Sequence, residues 1–232
     1  GHDINYISLT GALHAIGRAG EPPVPPLNLV GDYGGGAMFL VSGLLAGIIR
    51  ARETGQGDVI DVAMTEGTIN LLSMFHAFLG LGRWHDRPES NLLDGGAHFY
   101  RCYECADGRY VAVGCLEPQF YAECLKGLEL DPAAYPQYPP SRWPELAESF
   151  AARFRQKTRD EWAAIFAGTD ACVTPVLSFA EAPAHPHNAC RESYVEADGL
   201  SQATPAPRFA GAGTGVGAAE LLSADEAIGR WR

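Results

Sequence analysis

The chain has 232 residues, is 47% apolar, and carries 28 acidic against 17 basic side chains for a net charge of −11. That apolar content suffices for one large or two modest domains, while the acidic balance, with no Lys/Arg run, disfavours nucleic acid and anionic membranes as partners. The longest uncharged stretch, Tyr33 to Ile49, is shorter than the ~20 residues of a membrane span, and six cysteines lacking the density of a secreted scaffold point to a reducing, cytoplasmic setting.

The chain begins Gly1-His2-Asp3-Ile4-Asn5-Tyr6. Asp3 and Asn5 suit the first turn of a helix, so the N–H groups after His2 are expected to face a developing negative charge. An isolated imidazole is more often structural than catalytic, and these neighbours are what raise His2 above that background. A short helix is expected between Ser8 and Ala15, then an exposed connector from Gly17 to Pro26. Asp32 follows in Val30-Gly31-Asp32-Tyr33-Gly34-Gly35-Gly36. It fits an N-cap, but a plain cap needs no triple glycine, which allows another backbone or a ligand to come close. The run lacks the G-x-G-x-x-G spacing of a dinucleotide site.

Residues Ala37 to Arg52 are apolar almost all round, the pattern of a helix buried in a core. Asp58 to Ala63 alternates as a short strand, and a second helix is predicted from Thr65 to Leu81. Arg83 to Gly96 is irregular. Phe99 to Cys105 and Arg109 to Gly114 flank Ala106-Asp107-Gly108 as a β-hairpin. Glu117 stands at the strand end, before a helix from Pro118 to Gly127, and could share a proton with Asp32 if the second domain folds back over the first. Helices at Trp143–Phe154 and Arg159–Ala167 and a strand at Cys172–Val176 complete a compact α/β unit.

Cys102-x-x-Cys105 is a poor metal motif, since strand periodicity sends the two thiols to opposite faces and no second pair follows. His185-Pro186-His187 reads as a chain-turning element. Tyr194 to Arg208 is punctuated by Pro and Gly, and Gly211 to Gly217 is low in complexity. The absence of a G-x-S-x-G elbow and a Walker loop removes support for hydrolase and kinase readings.

Taken together, Gly1–Tyr6, Leu29–Gly36, Thr54-Gly55-Gln56-Gly57 with Val59–Met64, Tyr103–Gly108 and Glu117–Tyr121 resemble the α-methylacyl-CoA racemase branch of the family III CoA-transferase superfamily. Ala171–Val176, His185–His187 with Arg191, and Pro205–Phe209 agree in order. The resemblance implies an α/β fold: the C-terminal part of a Rossmann-like large domain plus a smaller α/β domain, in a family of interlocked homodimers. It divides the chain into residues 1–62 (remaining large CoA-binding domain), 63–97 (linker), 98–187 (small domain), 188–206 (linker) and 207–232 (return segment). It implies catalytic roles for His2, Asp32 and Glu117, with Glu117 as the partner of Asp32, and an acyl-CoA site lined by Gly1, His2, Asp3, Ile4, Asn5 and Tyr6. No metal or further cofactor is implied, because CoA travels with the substrate. Met64, Leu92, Leu93 and Leu116 are candidates for a slippery acyl surface, with core packing the equal alternative. Two other readings stand beside racemisation. One is a CoA transferase acting through a carboxylate–CoA intermediate, for which Glu66 is the candidate nucleophile. The other is an inactive dimerising fragment.

Overall fold

The computed structural model describes residues 1–197, 199–211 and 222–230. It divides into two compact units, Gly1–Pro175 and Val176–Arg232. The sheet closes with its last strand at Pro175, and among the described residues nothing after that strand adds to it.

In the first unit, α1 (Asp3–Ile7) and α2 (Ala12–Ala15) lead into a π-helical segment, Leu29–Ala37, that continues without a break into α3 (Met38–Thr54). Asp32 is thus inside a helix rather than capping one. Gly55, at φ 70°, ends α3 in the left-handed conformation that glycine adopts freely. The segment 58–63 has no assigned secondary structure, and the predicted strand does not form. Alternation makes a strand only where a neighbour offers hydrogen bonds. Here Ile60 instead rests on the bare backbone of α3, against Gly43 and Gly47.

Residues 63–97 are more than a linker, since α4 (Met64–Leu71) and α5 (Ser73–Gly80) lie within them. Helix α4 packs against the π segment backbone to backbone. A Cβ on Gly35 would lie 2.5 Å from Thr68 Oγ1 and 2.7 Å from Thr68 N, and one on Gly67 would collide with the Gly35 carbonyl. The glycine run thus serves a close helix contact.

The hairpin forms as predicted from β1 (Tyr100–Glu104) and β2 (Tyr110–Gly114), with Tyr103 opposite Val111, and β3 (Val173–Pro175) adds antiparallel with Val173 opposite Val113. Helices α6 (Pro118–Leu128), α7 (Trp143–Phe154) and α8 (Arg159–Phe166) share a core with this sheet, built around Phe99, Val111, Leu125, Phe150, Phe154 and Trp162. Local signals explain these boundaries: proline at the start of α6 and α7, and a Thr158/Glu161 capping box on α8. Cys102 is exposed and Cys105 buried, as strand periodicity requires, and no metal-holding cluster occurs among the described residues.

In the second unit, His185 caps α9 (Pro186–Cys190), its Nδ1 accepting from the His187 N–H at 3.3 Å. Residues expected to link domains instead form a hairpin of β4 (Tyr194–Ala197) and β5 (Leu200–Ala203). Helix α10 (Ala224–Arg230) follows. The low-complexity run lies outside the described residues, Gly211 excepted.

Candidate active site

His2 is exposed and is the N-cap of α1, with extended backbone. Asn5 fixes it from both sides: the His2 N–H donates to Asn5 Oδ1 at 3.0 Å, and the Asn5 N–H returns to the His2 carbonyl at 2.9 Å. Gly1 lies against the Tyr6 ring, where a Cβ would come within 3.1 Å. This opening segment is therefore an ordered surface rather than a loose end.

Asp3 is the one charged residue of the segment that is buried, at 5% exposure. Its Oδ2 accepts hydrogen bonds from the backbone N–H groups of Gly31 and Asp32, each at 2.7 Å. Bonds of this kind to a charged acceptor contribute roughly 1.5–3 kcal/mol each. They are possible because Gly31 has no side chain: a Cβ there would sit 2.7 Å from Asp3 Oδ2 and 2.9 Å from Ile7 Cγ2. Asp32 is half-buried, and its Oδ2 accepts from Asn28 Nδ2 at 3.2 Å. The backbone of Asp32 is thus bonded to the carboxylate of the residue that follows His2. The π-helical winding around Asp32 is a form frequent at functional sites.

Glu117 is the exposed N-cap of α6, with no side-chain capping bond. It is not joined to Asp32, whose carboxylate has Asn28 as its partner. The acyl-surface candidates separate. Leu92 and Leu116 pack on the core of the sheet, and Met64 packs against Gly36 of the π segment. Leu93 lines a mainly apolar recess of about 470 Å³ with Ala12, Ile16, Val30, Phe75 and Trp84. Through Val30 the recess reaches the segment that carries Asp32. Glu66 opens into a different recess, between α3 and α4, together with Phe39, Ile60 and Asn70.

The sequence reading missed the side chain of Asp3. Its only trace there was a glycine directly before Asp32, and a pairing across 28 and 29 positions leaves no periodic signal.

A family model described as CoA-transferase family III matches residues 1–216. The chain is 48% identical over 209 residues to alpha-methylacyl-CoA racemase of Mus musculus, a match covering 89% of this chain and 55% of that protein. It is 46% identical over 199 residues to the Homo sapiens protein of the same name, covering 85% and 52%. The crystal structure of a CAIB/BAIF family protein from Brucella suis matches with a TM-score of 0.69 at 21% identity, over 91% of this chain and 57% of that one, a likeness of fold. The chain spans about half the length of the curated relatives it matches.

Proposed function

The chain belongs to CoA-transferase family III, and from that premise we propose that the full-length protein carrying it racemises 2-methyl-branched acyl-CoA thioesters by two-base proton transfer. The observation that carries this reading is the junction at Asp3, which holds an imidazole-bearing helix start beside a half-buried aspartate. The identity to two racemases supports the choice of reaction within the family.

The carbon next to a thioester is acidic because its conjugate base is an enolate. For one enantiomer, neutral His2 removes the C2 proton and the carboxylic acid of Asp32 delivers another to the opposite face. For the mirror image, the Asp32 carboxylate is the base and the His2 imidazolium the acid. One C–H bond breaks and one forms in each direction. The Asp3 N–H at the head of α1, which helix geometry leaves without an internal acceptor, donates to the enolate oxygen. General acid–base help contributes about 10²–10⁴-fold, so oxyanion stabilisation and positioning supply the remainder. The recess beside Leu93 and Val30 receives the acyl chain. Glu117 joins the site when a second copy of the chain packs against the first as a homodimer.

The test uses the full-length protein and a single enantiomer in D₂O. Racemisation with deuterium entering at C2 is expected, and racemisation without it removes the two-base scheme. A transferase would instead need a free-acid acceptor and form a carboxylate–CoA species that hydroxylamine traps.

A further inference from the structure

Resting on that reading, we infer that the Asp3 side chain is a positioning residue that sets where Asp32 stands relative to His2. Three features separate it from an ordinary first-turn acid. First, its bonds leave its own helix: the Oδ2 acceptor is shared by two consecutive N–H groups at 2.7 Å, from Gly31 and from Asp32. Second, the contact is built to be close, because Gly31 is buried against Asp3 and Ile7 with no room for a Cβ. Third, Asp3 is buried and its Oδ1 has no partner. A side chain serving only α1 could take an exposed place and satisfy both oxygens with water.

The consequence is geometric. The Asp3 N–H lies one residue from His2, and the Asp3 carboxylate holds the N–H of Asp32 itself. The enolate donor and both proton carriers are therefore referred to one residue. Two bases must reach the same carbon from opposing faces, so the distance between them matters more than either position alone. A displacement of about 1 Å in such an arrangement can cost about 10²-fold in rate. Asp3 holds the backbone of Asp32, and Asn28, the residue before the π segment, holds its carboxylate. A single side-chain amide at 3.2 Å does not fix the backbone behind it.

Asp3→Ala in the full-length protein should release Asp32 while leaving His2 capping α1. Each enantiomer is followed in D₂O for both inversion and deuterium entry at C2. Inversion should fall about 100-fold in both directions. For the enantiomer whose proton faces His2, deuterium should still enter with retention, since His2 can return a deuteron to the face it deprotonated. For the other enantiomer, exchange and inversion should fall together. Asp3→Asn, which keeps an acceptor oxygen, should lie between Asp3→Ala and the unsubstituted protein. Gly31→Ala, which pushes the same junction apart from the opposite side, should skew the ratio in the same sense.

A purely structural role for Asp3 would lower exchange and inversion in proportion for both enantiomers, and that result overturns the inference. If Asp3→Ala does not fold, Asp3→Asn and Gly31→Ala decide the matter by the same ratio. Failure of the unsubstituted protein to incorporate deuterium is a separate result, and it overturns the racemase reading.

Discussion

His98 is fully buried, with Nε2 2.7 Å from the Tyr121 hydroxyl and Nδ1 without a partner. Its protonated form would therefore bury an N–H with nothing to accept it. Burial first, and the positive charge of Arg142 second, push its pKa down from 6.5 to about 4. Between those values the unfolded chain binds the proton and the folded one does not, so this contribution is complete above pH 6.5 and is lost as pH falls toward 4. Its ceiling is roughly 3 kcal/mol. Urea midpoints of the full-length protein should fall between pH 6.5 and 4.5, and His98→Phe should flatten that interval. An unchanged slope would show that His98 does not titrate in this way. At this scale the sequence places His2 at a helix start, where the structure has it as the N-cap of α1. The sequence carried no sign of the bonds the Asp3 carboxylate makes to Gly31 and Asp32, nor of His98, because both depend on burial and distant partners.

Elements with local signals were legible and those needing distant partners were not. The β1–β2 hairpin is encoded by Asp107-Gly108 at its turn, and α6, α7 and α8 by proline starts and the Thr158/Glu161 box. The run 58–63 alternates as well as a real strand does, but hydrogen-bonding neighbours decide the outcome. The β4–β5 hairpin, with Gly199 at φ 74° between its strands, lies in a stretch whose prolines and glycines read as irregular. The glycine run was correctly singled out, and its occupant is the backbone of α4. Gly35→Ala should therefore drive Thr68 away, its Cβ starting 2.5 Å from Thr68 Oγ1. Overpacking of this kind costs about 1–3 kcal/mol. Thermal unfolding of the full-length protein should show the loss, while Gly34→Ala, whose Cβ would meet the Leu29 carbonyl and Leu71 Cδ1 at 3.0–3.2 Å, should lose less. Equal losses would remove the backbone contact as the reason for the glycines.

At the scale of the whole chain, the expectation of a core helix meets a helix with no buried residue. Leu40, Val41, Leu44, Leu45, Ile48 and Ile49 of α3 are all exposed. With its π extension it spans Leu29–Thr54, 26 residues that include an 18-residue window of mean hydropathy 1.5, so by length and composition alone the helix is long and apolar enough to cross a bilayer. Two features argue that protein covers it instead. Asp32 lies within it, tied by Asp3 and Asn28, where hydrocarbon would exact a high cost for a charge. The π segment also packs on α4 through Gly35 and Gly67, and Ile60 lies along α3 at Gly43 and Gly47. An apolar surface of this extent is far more than scattered exposed leucines and drives association. Residues 1–232 expressed alone should self-associate in a concentration-dependent way, and Leu44→Arg with Ile48→Arg should suppress it without disturbing the hairpin core, 50 residues away in sequence. Sedimentation reads the outcome: a single 24.8 kDa species at all concentrations would mean that this face is stable in water. Flotation with neutral vesicles, lost in the double variant, would place it in lipid.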